Sequence, residues 1–125
     1  MAWTISLIGQ YPEVQKRLQD EVDQVIGDSQ EITFDSLSQL KYLEMVIKES
    51  LRLYPSVPMM GRILTEDVLM NDHIVPKGTA VNISIFSLHH NPLVWENPSE
   101  FNPERWTLEN CEGRDPFSYI PFSAG

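Results

Sequence analysis

From Asn91 onward, proline recurs at Pro92, Pro98, Pro103, Pro116 and Pro121. Each ring fixes φ and removes a backbone donor, so no regular ladder can run through this third of the chain. Between the prolines stand Trp95, Phe101, Trp106, Phe117, Tyr119 and Phe122. Large aromatic side chains of this kind anchor an irregular coil to a core.

Regular structure is therefore sought upstream. "MAWTISLIG" is an apolar helical stretch with no capping residue before it. Pro12 suits a first helical position and Glu13 the positive helix end. Val14, Leu18, Val22 and Val25 then recur at helical spacing until Gly27. Thr33 with Ser36 and Leu37 predicts a short capped helix, followed by a longer one from about Leu40 to Tyr54 that Pro55 stops.

After Pro55 the pattern changes. Apolar runs at Arg62 to Leu64 and Val68 to Met70, the turn pair Asn71 and Asp72, and the alternation of Val81, Ile83 and Ile85 predict small antiparallel strands. Lys77 and Gly78 after Pro76 read as a turn between strands. The fold class is mainly α with a small antiparallel β part. The predicted division of residues 1–125 is a helical part (1–54), a β-rich part (55–90) and a proline and aromatic coil (91–125).

The 125 residues are 42% hydrophobic, enough for one modest core. The formal net charge is −9, and Glu13, Asp20, Glu21, Asp23, Asp28, Glu31 and Asp35 crowd the first third against Lys16 and Arg17. Such a surface repels phosphate backbones, which argues against nucleic acid as a partner, and the acids read as a solvated helix face. The apolar start is far below the roughly 20 residues that span a bilayer. Cys111 is the single cysteine, so no internal disulfide can form.

His89 and His90 are adjacent, and a regular helix or strand would point them apart, which disfavours a histidine metal site. "NIS" at Asn82 to Ser84 fits a glycosylation triplet but lies in a predicted strand. No G-x-S-x-G elbow, P-loop or paired-cysteine zinc spacing is present.

The remaining signal is "KESLRLYP", Lys48 to Pro55. On a helical wheel Leu43, Val46, Ile47, Leu51 and Tyr54 share one side, while Met45, Glu49 and Arg52 share another and Leu53 lies beside Glu49. Glu44 and Lys48 sit together on the polar flank. Taken alone, Glu49 and Arg52 read as an ordinary exposed ion pair worth about 0.2–0.5 kcal/mol.

The order of further motifs changes that reading. "FNPERW" stands at Phe101 to Trp106 and "PFSAG" at Pro121 to Gly125. With "LRLYPSVP", "GRILTEDV", "VPKGTAV" and "HHNPLVWENPSE", the chain closely resembles the cytochrome P-450 haem-thiolate monooxygenases over nearly its whole length. In that family an E-x-x-R helix, a P-E-R-F-like coil and an F-x-x-G-x-R-x-C-x-G loop follow in this order.

The resemblance implies a partial cytochrome P-450 fold in which Glu49, Arg52 and Arg105 form a buried structural network behind the haem pocket. It implies that Arg62 holds a haem propionate, that Phe122 and Gly125 belong to the haem loop, and that Val57, Met59 and Met60 contact substrate. Trp106 stands where the family usually has phenylalanine, a change of ring size that leaves an aromatic anchor. The axial cysteine is expected four residues beyond Gly125, so no metal ligand and no catalytic residue is expected within the chain, and Cys111 reads as a loop thiol. An internal piece of a longer protein is expected.

For that parent the resemblance implies haem b, an NADPH-dependent reductase as partner and insertion of one oxygen atom from O2 into a lipophilic substrate. The wording of "SYIPFSAG" and its companions is similar to the family 4 branch, which implies fatty acids or comparable molecules. It also implies the cytosolic face of the endoplasmic reticulum membrane, with the anchor outside this chain. Two other readings stand beside it: a truncated non-catalytic product that binds no haem, and a small acidic interaction module.

Overall fold

The computed structural model describes residues 2–27 and 32–123. Asp28, Glu31 and Gly125, which carry expectations above, lie outside the described residues. Four helices open the chain: α1 (Ala2–Gln10), α2 (Pro12–Val25), α3 (Phe34–Gln39) and α4 (Lys41–Leu53). Pro12 occupies the first turn of α2, where its missing amide costs nothing. At α3, Thr33 accepts from the Ser36 amide at 3.2 Å while Ser36 Oγ accepts from the Thr33 amide at 3.0 Å, a reciprocal capping box.

The start of α4 is held differently. Its N-cap, Leu40, has no side chain able to accept the first free amides. Glu21 of α2 supplies that acceptor, taking the Tyr42 amide at 2.7 Å and the Leu43 amide at 2.9 Å. A carboxylate is also favoured by the positive end of the helix. Glu21 is thus set apart from the solvated acids with which its sequence neighbours group it.

Strands β1 (Met59–Ile63) and β4 (Ala80–Ser84) pair antiparallel, from Met59 opposite Ser84 to Ile63 opposite Ala80. Between them the chain forms a smaller hairpin of β2 (Val68–Met70) and β3 (His73–Val75), closed by Asn71 and Asp72. Asn71 takes φ 51°, the left-handed conformation such two-residue turns require. Ile85, expected to continue the last strand, instead opens a short helix, α5 (Ile85–His89). Ser84 Oγ accepts the Ser87 amide at 3.2 Å and caps it, ending the alternation.

The coil that follows carries a 3-10 turn at Pro103–Trp106, a short α6 (Leu108–Cys111) and a second 3-10 turn at Pro116–Ser118. Phe101 joins Leu7, Val14, Tyr42, Val46 and Leu53 in the apolar core, so coil and helices share one interior. Thr4 and Ser50 hydroxyls meet at 2.8 Å and fasten α1 to α4. The buried face of α4 runs through Tyr42, Val46, Glu49, Ser50, Arg52 and Leu53. Leu43, Ile47 and Leu51 line an open apolar groove of about 440 Å³ with Tyr119, Pro121 and Phe122.

Candidate functional site

Glu49 and Arg52 lie one turn apart on α4, and both side chains are fully buried. Arg52 Nε donates to Glu49 Oε2 and Nη2 to Oε1, each at 2.9 Å, a two-pronged pair of the kind only a planar guanidinium makes. Three further donors reach the same carboxylate. They are the Asn102 amide at 3.1 Å, Arg105 Nε at 3.3 Å and the Trp106 indole Nε1 at 3.0 Å.

The remaining guanidinium protons of Arg52 go to backbone carbonyls. Nη1 donates to His89 at 2.9 Å and Pro98 at 2.7 Å, and Nη2 to Glu100 at 3.1 Å. All five donors of Arg52 are therefore used. The energetics follow from burial: the desolvation of two ions is recovered only where every lone pair and proton is satisfied. Arg105 Nη2 additionally holds the Asn97 carbonyl at 2.9 Å.

Aromatic rings wall the cluster. The guanidinium of Arg52 lies 5.2 Å from the Trp95 ring centre, and that of Arg114 lies 4.5 Å from Trp95 and 5.1 Å from Trp106. Trp106 packs on Tyr119 with ring centres 4.4 Å apart, and Tyr119 on His89 at 5.1 Å. Burial, then the nearby Glu49 charge, pushes the Tyr119 phenol well above its ordinary range, so it remains protonated and donates to the Lys48 carbonyl at 3.2 Å.

The structure thus brings Glu49, Arg52 and Arg105 together. Asn102, Trp106 and the carbonyls of His89, Pro98 and Glu100 complete the arrangement and carry no periodic signal in the sequence. Trp106 is more than an anchor: the indole offers a donor that phenylalanine lacks. The cluster exposes no nucleophile, and its chemistry is that of a clamp joining α4 to the coil.

The other site residues lie elsewhere. Arg62 is exposed on β1, with Nη1 donating to its neighbour Gly61's carbonyl at 3.1 Å and Nη2 to Ser123 Oγ at 3.4 Å. That second bond brings Arg62 to the residue after Phe122, whose ring is 67% exposed. Along a strand, alternate residues share a face, so Met60 lies with Arg62 and Met59 points the other way. Val57 lies in the bend before β1 and is exposed. Cys111 is half-buried, its Sγ 3.7 Å from the Arg105 carbonyl and 3.6 Å from Arg114 Nη1. Among the described residues no group of three His, Cys, Asp or Glu side chains could hold a metal ion. No described helix is long and apolar enough to cross a membrane.

The Arg62 guanidinium, with half-buried Met60 on its face of β1 and exposed Phe122 next to its partner Ser123, suits a flat apolar macrocycle with carboxylate tails, because the fork matches a carboxylate and the apolar groups cover the ring. The residues present therefore fit a haem group. A buried E-x-x-R clamp with an aromatic coil fastened to it sits in a mainly helical scaffold that carries small antiparallel strands. The family model for Cytochrome P450 matches residues 1–125, and the chain belongs to that family.

Cytochrome P450 4c3 of Drosophila melanogaster is 50% identical over 127 residues, covering 100% of this chain and 24% of that protein. Human Cytochrome P450 4V2 is 48% identical over 124 residues, covering 98% and 24%. Human Cytochrome P450 4F8 is 43% identical over 128 residues, covering 100% and 25%. The chain spans about a quarter of the length of these relatives.

Proposed function

We propose that this chain is the scaffold segment of a haem-thiolate monooxygenase that inserts one atom of O2 into a lipophilic substrate such as a fatty acid. The observation that carries the reading is the fully satisfied Glu49–Arg52 pair, tied by Asn102, Arg105 and Trp106 to the coil that leads to Phe122. Bound haem with a cysteine thiolate supplies the O–O cleavage chemistry. The residues of this chain position it: the clamp fixes the coil, Arg62 holds a propionate, and Phe122 with Gly125 begins the loop toward the thiolate. Val57 and Met60 offer a pliable apolar wall to substrate, with Met59 on the far face of its strand. Electrons come from NADPH through a reductase, at the cytosolic face of the endoplasmic reticulum membrane. Within the segment, residues 1–54, 55–90 and 91–125 act as helical support, β-rich edge and loop-bearing coil.

The test is expression of the full-length protein with measurement of haem content and of isotopic oxygen from labelled O2 in a fatty-acid product, with NADPH and reductase supplied. Haem bound in equal amount to protein, with label in the product, is expected. A full-length protein that binds no haem overturns the reading; one that binds haem and hydroxylates another lipophilic class overturns the fatty-acid part alone.

A further inference from the structure

His89 is fully buried at the end of α5 and makes two unrelated bonds. Its backbone carbonyl receives Arg52 Nη1 at 2.9 Å, and its ring Nε2 lies 3.0 Å from the Ile120 amide. An amide can only donate, so Nε2 is the acceptor and the ring proton of the neutral imidazole sits on Nδ1. Nδ1 itself makes no hydrogen bond among the described residues. The ring's faces are also used, since it stacks on Tyr119, the residue before Ile120.

Burial keeps the ring in that neutral state. A helix C-terminus ordinarily favours an imidazolium, yet burial outweighs it and, with Arg52 nearby, draws the pKa of His89 from 6.5 to about 4. The backbone of Leu51 and Arg52 beside the ring pulls the other way and favours a proton on it. His90 next door does something different: it is half-buried, and its Nδ1 lies 2.9 Å from the Phe86 carbonyl within its own helix.

We propose that His89 is a positioning residue for the loop toward the thiolate, joining the Glu49–Arg52 clamp through its carbonyl to the Ile120 amide through its ring. The inference rests on the haem reading above, and it concerns a residue that the three-membered network omits. Beyond Ile120 come Pro121 and Phe122, and proline offers no amide to fasten. The Ile120 amide, held by His89 at the end of α5, is therefore the last backbone donor before Phe122. The ring both stacks on Tyr119 and accepts from Ile120, and so fixes position and direction together.

The test compares full-length wild type with His89→Phe and His89→Gln. Phenylalanine keeps a flat ring and loses the acceptor; the amide oxygen of glutamine reaches about the place of Nε2. Amide hydrogen exchange is followed over Tyr119–Phe122 and over α4, with the rate of haem loss to an acceptor globin as a second readout. In His89→Phe the loop amide is expected to exchange about tenfold faster, the change that one hydrogen bond of ordinary net strength sets, with α4 unchanged and haem lost faster. His89→Gln should restore slow exchange and haem retention.

Wild-type exchange in His89→Phe overturns the proposal, as does a His89→Gln variant no better than phenylalanine. Should His89→Phe fail to fold, a folded His89→Gln with a protected loop sustains the acceptor role, and failure of both overturns it in favour of ring packing. If wild type binds no haem, the haem reading falls, while exchange at Ile120 still decides whether the bond holds the loop.

Discussion

The surroundings of Glu49 and the two hairpins are built on opposite plans. Around Glu49 the interior is polar, and every donor and acceptor of the central pair is matched. In the hairpins the backbone ladders are regular, yet Ile63 is 72% exposed and Ile74 70% exposed. Charged groups are buried where bonds converge from four segments, and aliphatic ones lie open where only two strands meet. Between these two regions, burial follows the number of segments that reach a position and not the polarity of the side chain.

The sharpest way to break this contrast is to remove the carboxylate. Glu49→Ala leaves Arg52 and Arg105 buried without their anion, and a loss of about 3–5 kcal/mol in the urea unfolding of the full-length protein is expected, with loss of bound haem. A variant with normal haem and an unchanged midpoint would reduce the cluster to a surface-like pair. Trp106→Phe is a finer cut, keeping a ring on Tyr119 and deleting one charge-assisted hydrogen bond. About 1.5–3 kcal/mol is expected from the same measurement. A negligible change would return Trp106 to the status of an anchor.

On the other side of the comparison, Ile74→Thr should move stability by no more than about 0.5 kcal/mol, as for other exposed positions. A loss above about 2 kcal/mol in the full-length protein would mean that residues outside this chain cover the hairpin. The contrast would then belong to the segment and not to the whole protein.

Where the sequence is legible, the reason is local or carried by motif order. Val14, Leu18, Val22 and Val25 mark α2 by spacing, and Asn71 with Asp72 marks a turn. Glu49, Arg52 and Arg105 become a set through the succession of the E-x-x-R and P-E-R motifs, since a wheel alone leaves the pair exposed. The illegible parts are bonds between distant residues. Glu21 meets Tyr42 across 21 positions, His89 meets Ile120 across 31, and Trp106 meets Glu49 across 57. None of these has a period or composition to betray it. Ile85 misleads for the opposite reason: its alternation with Val81 and Ile83 is sound strand grammar until the Ser84 cap intervenes.

Glu21 has one more effect. By holding the amides of both Tyr42 and Leu43, it indexes α4 like a stop pin at the end of a screw. A helix slipped by one residue turns through about 100° and advances about 1.5 Å. Such a slip would swing Glu49 out of reach of Asn102 and Trp106. An acid on α2 that touches nothing in the clamp thereby sets the angle at which the clamp is presented.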